Sequence, residues 1–179
     1  HKPVSSITFR VAGVTKNNDQ DKDIQTLLNK IIKGYKEIGE LESFDGMTNK
    51  DLLEFVIGST SEFEGQYIKD VIRFELEEDN KYDKDAIKVF LKGYDGEECH
   101  VGYVGRKNNI QLKRELQNNQ LNGTLCEFVG GKMKYVDYDL EKDKDIIVSG
   151  TATKGIEIAV FFEHAIGEAK EKNMSTVNE

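Results

Sequence analysis

A chain of 179 residues and 20.3 kDa is long enough to bury a core and suits one domain with an elaboration. At 37% hydrophobic and 32% charged residues it is polar for a globular protein without being a disordered polyelectrolyte. The net charge of −8 argues against a protein that simply coats nucleic acid, and no apolar run is long enough to span a bilayer, so no membrane partner is expected.

Cys99 and Cys126 are too few for a disulfide-framed scaffold or a cysteine-built zinc site, and the first residues lack the apolar segment of a signal peptide. A reducing, cytoplasmic setting is the simplest expectation. The charge is uneven. From Lys81 to Lys134 there are ten basic and seven acidic residues, so this stretch carries +3 and the remainder −11. A locally basic middle inside an acidic shell fits a confined anion site better than a broad binding surface.

In residues 6–14, Ile7, Phe9 and Val11 alternate with Thr8 and Arg10, which predicts a strand. After a polar loop at 17–23, Ile24, Leu27, Leu28, Ile31, Ile32 and Tyr35 recur at the spacing of one buried helix face, giving a helix from about Asp23 to Tyr35. Thr48 to Asp51 reads as a capping box that opens a short second helix carrying Leu52, Leu53, Val56 and Ile57. Alternation returns at Ile72, Phe74 and Leu76, and again at Ile87, Val89 and Leu91, with an Asx-rich turn over Asp79–Asp83 between the two strands. A hairpin at Gly93–Gly96 leads to a strand at 99–104. A helix carrying Ile110, Leu112 and Leu116 follows.

Farther on, the glycines predict breaks. A strand at 124–129 is expected to end at Gly130-Gly131, an acidic loop to occupy 137–145, and two strands, Ile146–Thr151 and Ile156–Phe162, to flank a turn at Lys154-Gly155. Residues 164–179 read as a weak C-terminal helix and tail. Short strands with one helix among them imply a mainly β fold with α elements: a small closed or half-closed barrel forming one domain over 1–163, with a two-helix insertion at about 20–66. The apolar face of the first helix suits packing on that barrel, or a protein partner or second copy.

Several chemistries find no motif. There is no phosphate-binding GxxxxGK[ST] loop and no nucleophile elbow, and the calcium-like run Asp19, Asp21, Asp23 lacks its later glycine and acid and reads as a solvated loop. Asp79, Asp83 and Asp85 cluster without the further partners of a nuclease core. No catalysis and no cofactor are expected.

One constellation remains. Residues 78–89 place Asn80, Tyr82 and Asp83 on an exposed turn between two strands. About a dozen residues later, Tyr103, Arg106 and Lys107 lead into a helix. Tyrosine rings can stack bases, at about 1–3 kcal/mol per base. A helix start with two cations suits a phosphate, and an amide and a carboxylate can bind a sugar hydroxyl or a base edge. A carboxylate facing the strand repels phosphate, so an aspartate in such a site implies a terminal hydroxyl. Tyr82 as a packing residue, and Asn80 and Asp83 as turn-formers, are the plainer alternatives. Lys132 and Lys134 follow a glycine hinge and could line the same groove.

These stretches resemble the HIRAN domain family. They are Phe9-Arg10-Val11-Ala12-Gly13-Val14-Thr15, then residues 79–89 with Asn80, Tyr82, Asp83, Ala86, Ile87 and Val89, then Val101-Gly102-Tyr103-Val104, then Val129-Gly130-Gly131. The resemblance covers roughly residues 7–16 and 70–135. It implies an OB-like β-barrel that captures single-stranded DNA at its 3′ end, in helicase-like translocases of replication and repair and in stand-alone bacterial or phage proteins. By position it implies that Asn80, Tyr82 and Asp83 hold the terminal nucleotide, with Tyr82 stacking and Asp83 on the 3′ hydroxyl. It implies that Tyr103 and Arg106 add contacts, and that Thr15 and Lys16 lie at the end of the first strand, where a basic residue and an aromatic contact DNA. Lys16 stands in place of the stacking aromatic, so one platform is missing. Lys81 stands in place of the usual proline, so the turn is less rigid.

Overall fold

The computed structural model describes residues 3–164. The described residues form eight strands and three α-helices, in the order β1 (Val4–Arg10), α1 (Ile24–Glu37), α2 (Asn49–Phe55), β2 (Ser59–Ser61), β3 (Tyr67–Lys69), β4 (Ile72–Leu76), β5 (Ile87–Lys92), β6 (Glu98–Tyr103), α3 (Asn109–Asn118), β7 (Gln120–Asp139) and β8 (Lys144–Glu163), of which the short β2 and β3 carry no pattern that predicts a strand. The fold is mainly β, and every pairing is antiparallel.

Two sheets form in place of one closed barrel. The first has five strands in the order β1-β8-β7-β2, with β3 also paired to β7, and the second has the order β4-β5-β6. They share one buried core, in which the Phe9 ring of β1 lies 6.1 Å from the Phe74 ring of β4, and among the described residues their backbones join at two places. Past β1, the Val11 N–H still donates to the Ile156 carbonyl of the first sheet, while Ala12 already pairs with Tyr103 at the end of β6. At the other side only Asp70 and Val71 separate β3 from β4. Asp70 adopts a left-handed φ of 57°, and its carboxylate accepts the Thr124 N–H at 3.0 Å, which turns the chain from one sheet into the other.

α1 starts where Asp23 accepts the Thr26 N–H at 3.0 Å, and it buries Ile24, Leu28, Ile31, Ile32 and Tyr35, with Leu27 half-buried. These side chains belong to the same buried cluster as Val89, Leu91, Phe128, Ile158 and Phe162 of the strands. The Tyr35 hydroxyl donates to the Lys92 carbonyl, pinning the helix to β5, and burial pushes its pKa up to about 12. The capping box at Thr48 and Asp51 forms as expected.

The expected breaks of the C-terminal half are absent. β7 and β8 are continuous strands of 20 residues each, paired from Gln120↔Glu163 to Asp139↔Lys144. The residues 137–145 expected as an acidic loop are strand ends around a tight turn, and Lys154-Gly155 lies inside β8. Gly130 and Gly131, at φ of 69° and 70°, form a bulge that bends β7 without ending it. A Cβ at Gly130 would sit 2.1 Å from the Thr153 carbonyl oxygen, so the close strand approach requires glycine there. Ile110 points outward while Leu112 is fully buried. The C-terminal helix expected over 164–179 lies, except for His164, outside the described residues.

Candidate nucleic-acid interface

The loop between β4 and β5 and the lead-in to α3 meet. Asn80 shapes the loop: its side-chain oxygen accepts the Tyr82 and Asp83 N–H groups, each at 2.9 Å, and its amide donates to Glu77 at 2.8 Å. Asp83 fixes the exit, with one oxygen accepting the Asp85 N–H at 2.9 Å and the other accepting from the Asn109 amide at 2.7 Å. Asn109 is the buried first residue of α3, so this bond ties the loop to the helix start.

Arg106 closes the junction. Its guanidinium donates to the Tyr82 carbonyl at 3.1 Å, and its Nε lies 3.8 Å from the Asp83 carboxylate. The Tyr82 ring extends from this braced backbone, 86% exposed. Lys107 is exposed beside Arg106. Asn108 caps α3 without a side-chain hydrogen bond, while the Asn109 N–H that opens the helix donates to the Gly105 carbonyl at 3.0 Å. Asp85 pairs with Lys113 at 3.2 Å, so Asp83 and Asp85 each face a cation.

Tyr103 reaches the same loop through Glu77. Its hydroxyl donates to the Glu77 carboxylate at 3.2 Å, and Lys88 bridges Glu77 and Asp19, both at 3.1 Å. Partial burial pushes the Glu77 carboxyl up, yet the bonds from Asn80 and Lys88 prevail and hold it below the usual range. Burial likewise favours neutral Lys88, but its two carboxylate partners keep its pKa above the ordinary value. Asp19 is therefore an anchored residue, contrary to the solvated loop expected of it. Its N–H donates to Nδ1 of buried His100 at 3.1 Å, which leaves Nε2–H to donate to the Gly102 carbonyl at 2.9 Å.

Thr15 and Lys16 are exposed just past the Ala12–Tyr103 bridge, and among the described residues no side-chain bond links them to the Tyr82 loop. Lys132 and Lys134 lie elsewhere, on β7. The Lys134 ammonium sits 4.5 Å over the Phe44 ring and donates to Asn49 at 3.0 Å, so these lysines line a different groove from the one expected. No known protein family, curated protein or solved structure matches the chain. Within the described residues, no helix is long and apolar enough to cross a membrane.

Sequence reasoning missed Glu77, Lys88, Asp19 and Asn109. Glu77 reads as an outward strand residue and Asn109 as part of a polar helix start; Lys88 and Tyr103, which meet Glu77, and Asp83, which meets Asn109, lie 11 to 26 residues away and leave no local pattern.

Proposed function

We propose that this chain is a non-catalytic DNA-binding module that takes a single strand at its free 3′-hydroxyl end. The observation that carries the reading is the Tyr82 ring, a large exposed platform on a loop braced by Asn80, Asp83 and Arg106. Holding an aromatic side chain in water on a fixed backbone removes the ordering cost that a ligand would otherwise meet. A terminal base stacks on Tyr82. Arg106, Lys107 and the start of α3 face the preceding phosphate. Asp83 already accepts two hydrogen bonds, but each carboxylate oxygen has a second lone pair, which a terminal hydroxyl can use. Tyr103 holds the loop through Glu77, and Thr15 and Lys16 flank the path of the strand. The likeness to HIRAN domains supports this reading, with the two sheets as the walls of one OB-like barrel joined at Ala12–Tyr103 and at Asp70.

Fluorescence anisotropy with a 3′-hydroxyl oligonucleotide and its 3′-phosphate twin tests it. Tighter binding of the hydroxyl form is expected, and equal affinities would remove the role given to Asp83. Tyr82→Ala should weaken binding by about 1–3 kcal/mol, roughly 5- to 150-fold.

A second reading, a protein-interaction module using the helical segment and the acidic surface, is favoured by one feature. At the end of α2, Phe55 is 69% and Ile57 fully exposed, beside Leu53. Failure of the chain to retain any single strand at low salt, where counterion release most favours binding, would promote it.

A further inference from the structure

On a chain of net charge −8, four lysines from three separate elements line one cavity of about 400 Å³. Lys33 and Lys36 come from α1, Lys132 from β7 and Lys154 from β8; Glu37 and Glu62 are the acidic residues of the lining. Ile32 and Phe63, both buried, supply apolar wall. The lining therefore keeps an excess of two positive charges in a recess large enough for a nucleotide-sized group.

Two of the four ammonium groups are held in place. Lys36 faces the buried Glu62 carboxylate at 3.6 Å, and that carboxylate also accepts from the Ser43 hydroxyl at 2.7 Å. Lys154 donates to Asn29, its stem runs against Gly131, and its backbone is gripped from both sides by Gln25, at 2.8 and 3.1 Å. Lys33 and Lys132 make no ion pair among the described residues. Gathering like charges from distant parts of the chain raises the energy of the empty cavity, and an anion inside it relieves that repulsion. The cavity also adjoins the segment that leads to the Tyr82 side. Gln25 bonds the Val14 carbonyl as well as Lys154, Thr15 and Lys16 come next, and Ala12 pairs with Tyr103.

We propose that this cavity is a second anion site that binds a phosphate group, as a backbone diester of the bound strand or as free phosphate. Lys33 and Lys132 supply the charge that the ligand neutralises, and Lys36 and Lys154 form the fixed wall. The diester form rests on the single-strand reading above, whereas the free-phosphate form stands without it.

The test compares the wild-type chain with the double variant Lys33→Gln/Lys132→Gln, whose two exposed side chains leave the core untouched. One arm titrates inorganic phosphate while backbone amide resonances are followed. Saturable shifts confined to α1, β7 and β8 around the cavity, and lost in the variant, are expected. The other arm measures affinity for a short oligothymidine against salt, where the variant should lose about 0.7 from the logarithmic slope, the contribution of one phosphate contact in a single strand. A changed slope establishes the diester form. A phosphate response with an unchanged slope, or with no strand binding by either protein, establishes the free-phosphate form; absent strand binding also refutes the single-strand reading. If phosphate moves no cavity resonance and the variant keeps the wild-type slope, or strand binding is also absent, the proposal is overturned.

Discussion

Asp83 and Tyr82 are neighbours with opposite energetic roles. Replacing Asp83 by alanine leaves the Asp85 N–H and the buried Asn109 amide without their acceptor. A loss of about 1–3 kcal/mol is expected in urea unfolding, the usual consequence of an unsatisfied buried donor. Tyr82→Ala removes a side chain already in water and should stay within about 0.5 kcal/mol of the parent while binding falls. His100 sets the acid response. Burial holds its pKa below the usual 6.5, outweighing the pull of the Asp19 carboxylate. The unfolded chain therefore takes up this proton first, and stability falls as the pH drops below 6.5, until the folded imidazole itself titrates. Protonation at Nδ1 also expels the Asp19 N–H that docks the 17–23 loop. Glu77 acts in the same direction at lower pH. Its contribution is complete above the ordinary 4.5 and is lost as the pH falls through its lower folded value. Thermal midpoints should decline from about pH 7 toward pH 5, and His100→Gln, which keeps an acceptor and a donor, should flatten the upper part of that decline. An unchanged profile in the variant would assign the decline to other groups.

The elements join at tight backbone contacts. Gly102, with φ of 148°, lies where an added Cβ would meet the Ala12 carbonyl oxygen at 2.4 Å and a Val11 methyl at 2.6 Å. Gly102→Ala must therefore push the two sheets apart at the Ala12–Tyr103 bridge. A loss of about 1–3 kcal/mol is expected, together with faster hydrogen exchange at the Tyr103 amide. Much of the element order was legible because it rests on local pattern: the period of Ile24, Leu28, Ile31, Ile32 and Tyr35, the Thr48–Asp51 cap, and the alternation of Ile87, Val89 and Leu91. The two long strands were not legible, since Gly130-Gly131 as a bulge inside a strand and Gly-Gly as a strand terminator share one composition. Only the partner strand, with Gly155 opposite Val129, distinguishes them. The candidate site divides likewise. Tyr82 and Arg106 were visible as turn and helix-lead residues, whereas Glu77 and Asn109 act through partners that sequence spacing does not reveal.

Across the whole molecule, stability is graded along the β7–β8 ribbon. Its inner half lies between β1 and the strands on β7, and its last bond to a neighbour is the Val136 N–H to the Gly58 carbonyl. Beyond this point, from Asp137↔Ile146 to the turn, the ribbon is two-stranded, with Tyr138 and Leu140 in water. Two strands alone are marginal, so amides at 137–146 should exchange far faster than those of Ile158 and Val160. Equal protection would mean that the outer ribbon is covered in solution. The inner half has a consequence for biogenesis. Val4 lies opposite Glu163 and Arg10 opposite Glu157, so among the described strands the earliest in the chain pairs with the latest. A nascent chain emerging from the ribosome cannot complete this sheet until β8 has cleared the exit tunnel. Until then Ile7 and Phe9 lack the cover that β8 gives them, a window in which a holding chaperone would engage this protein.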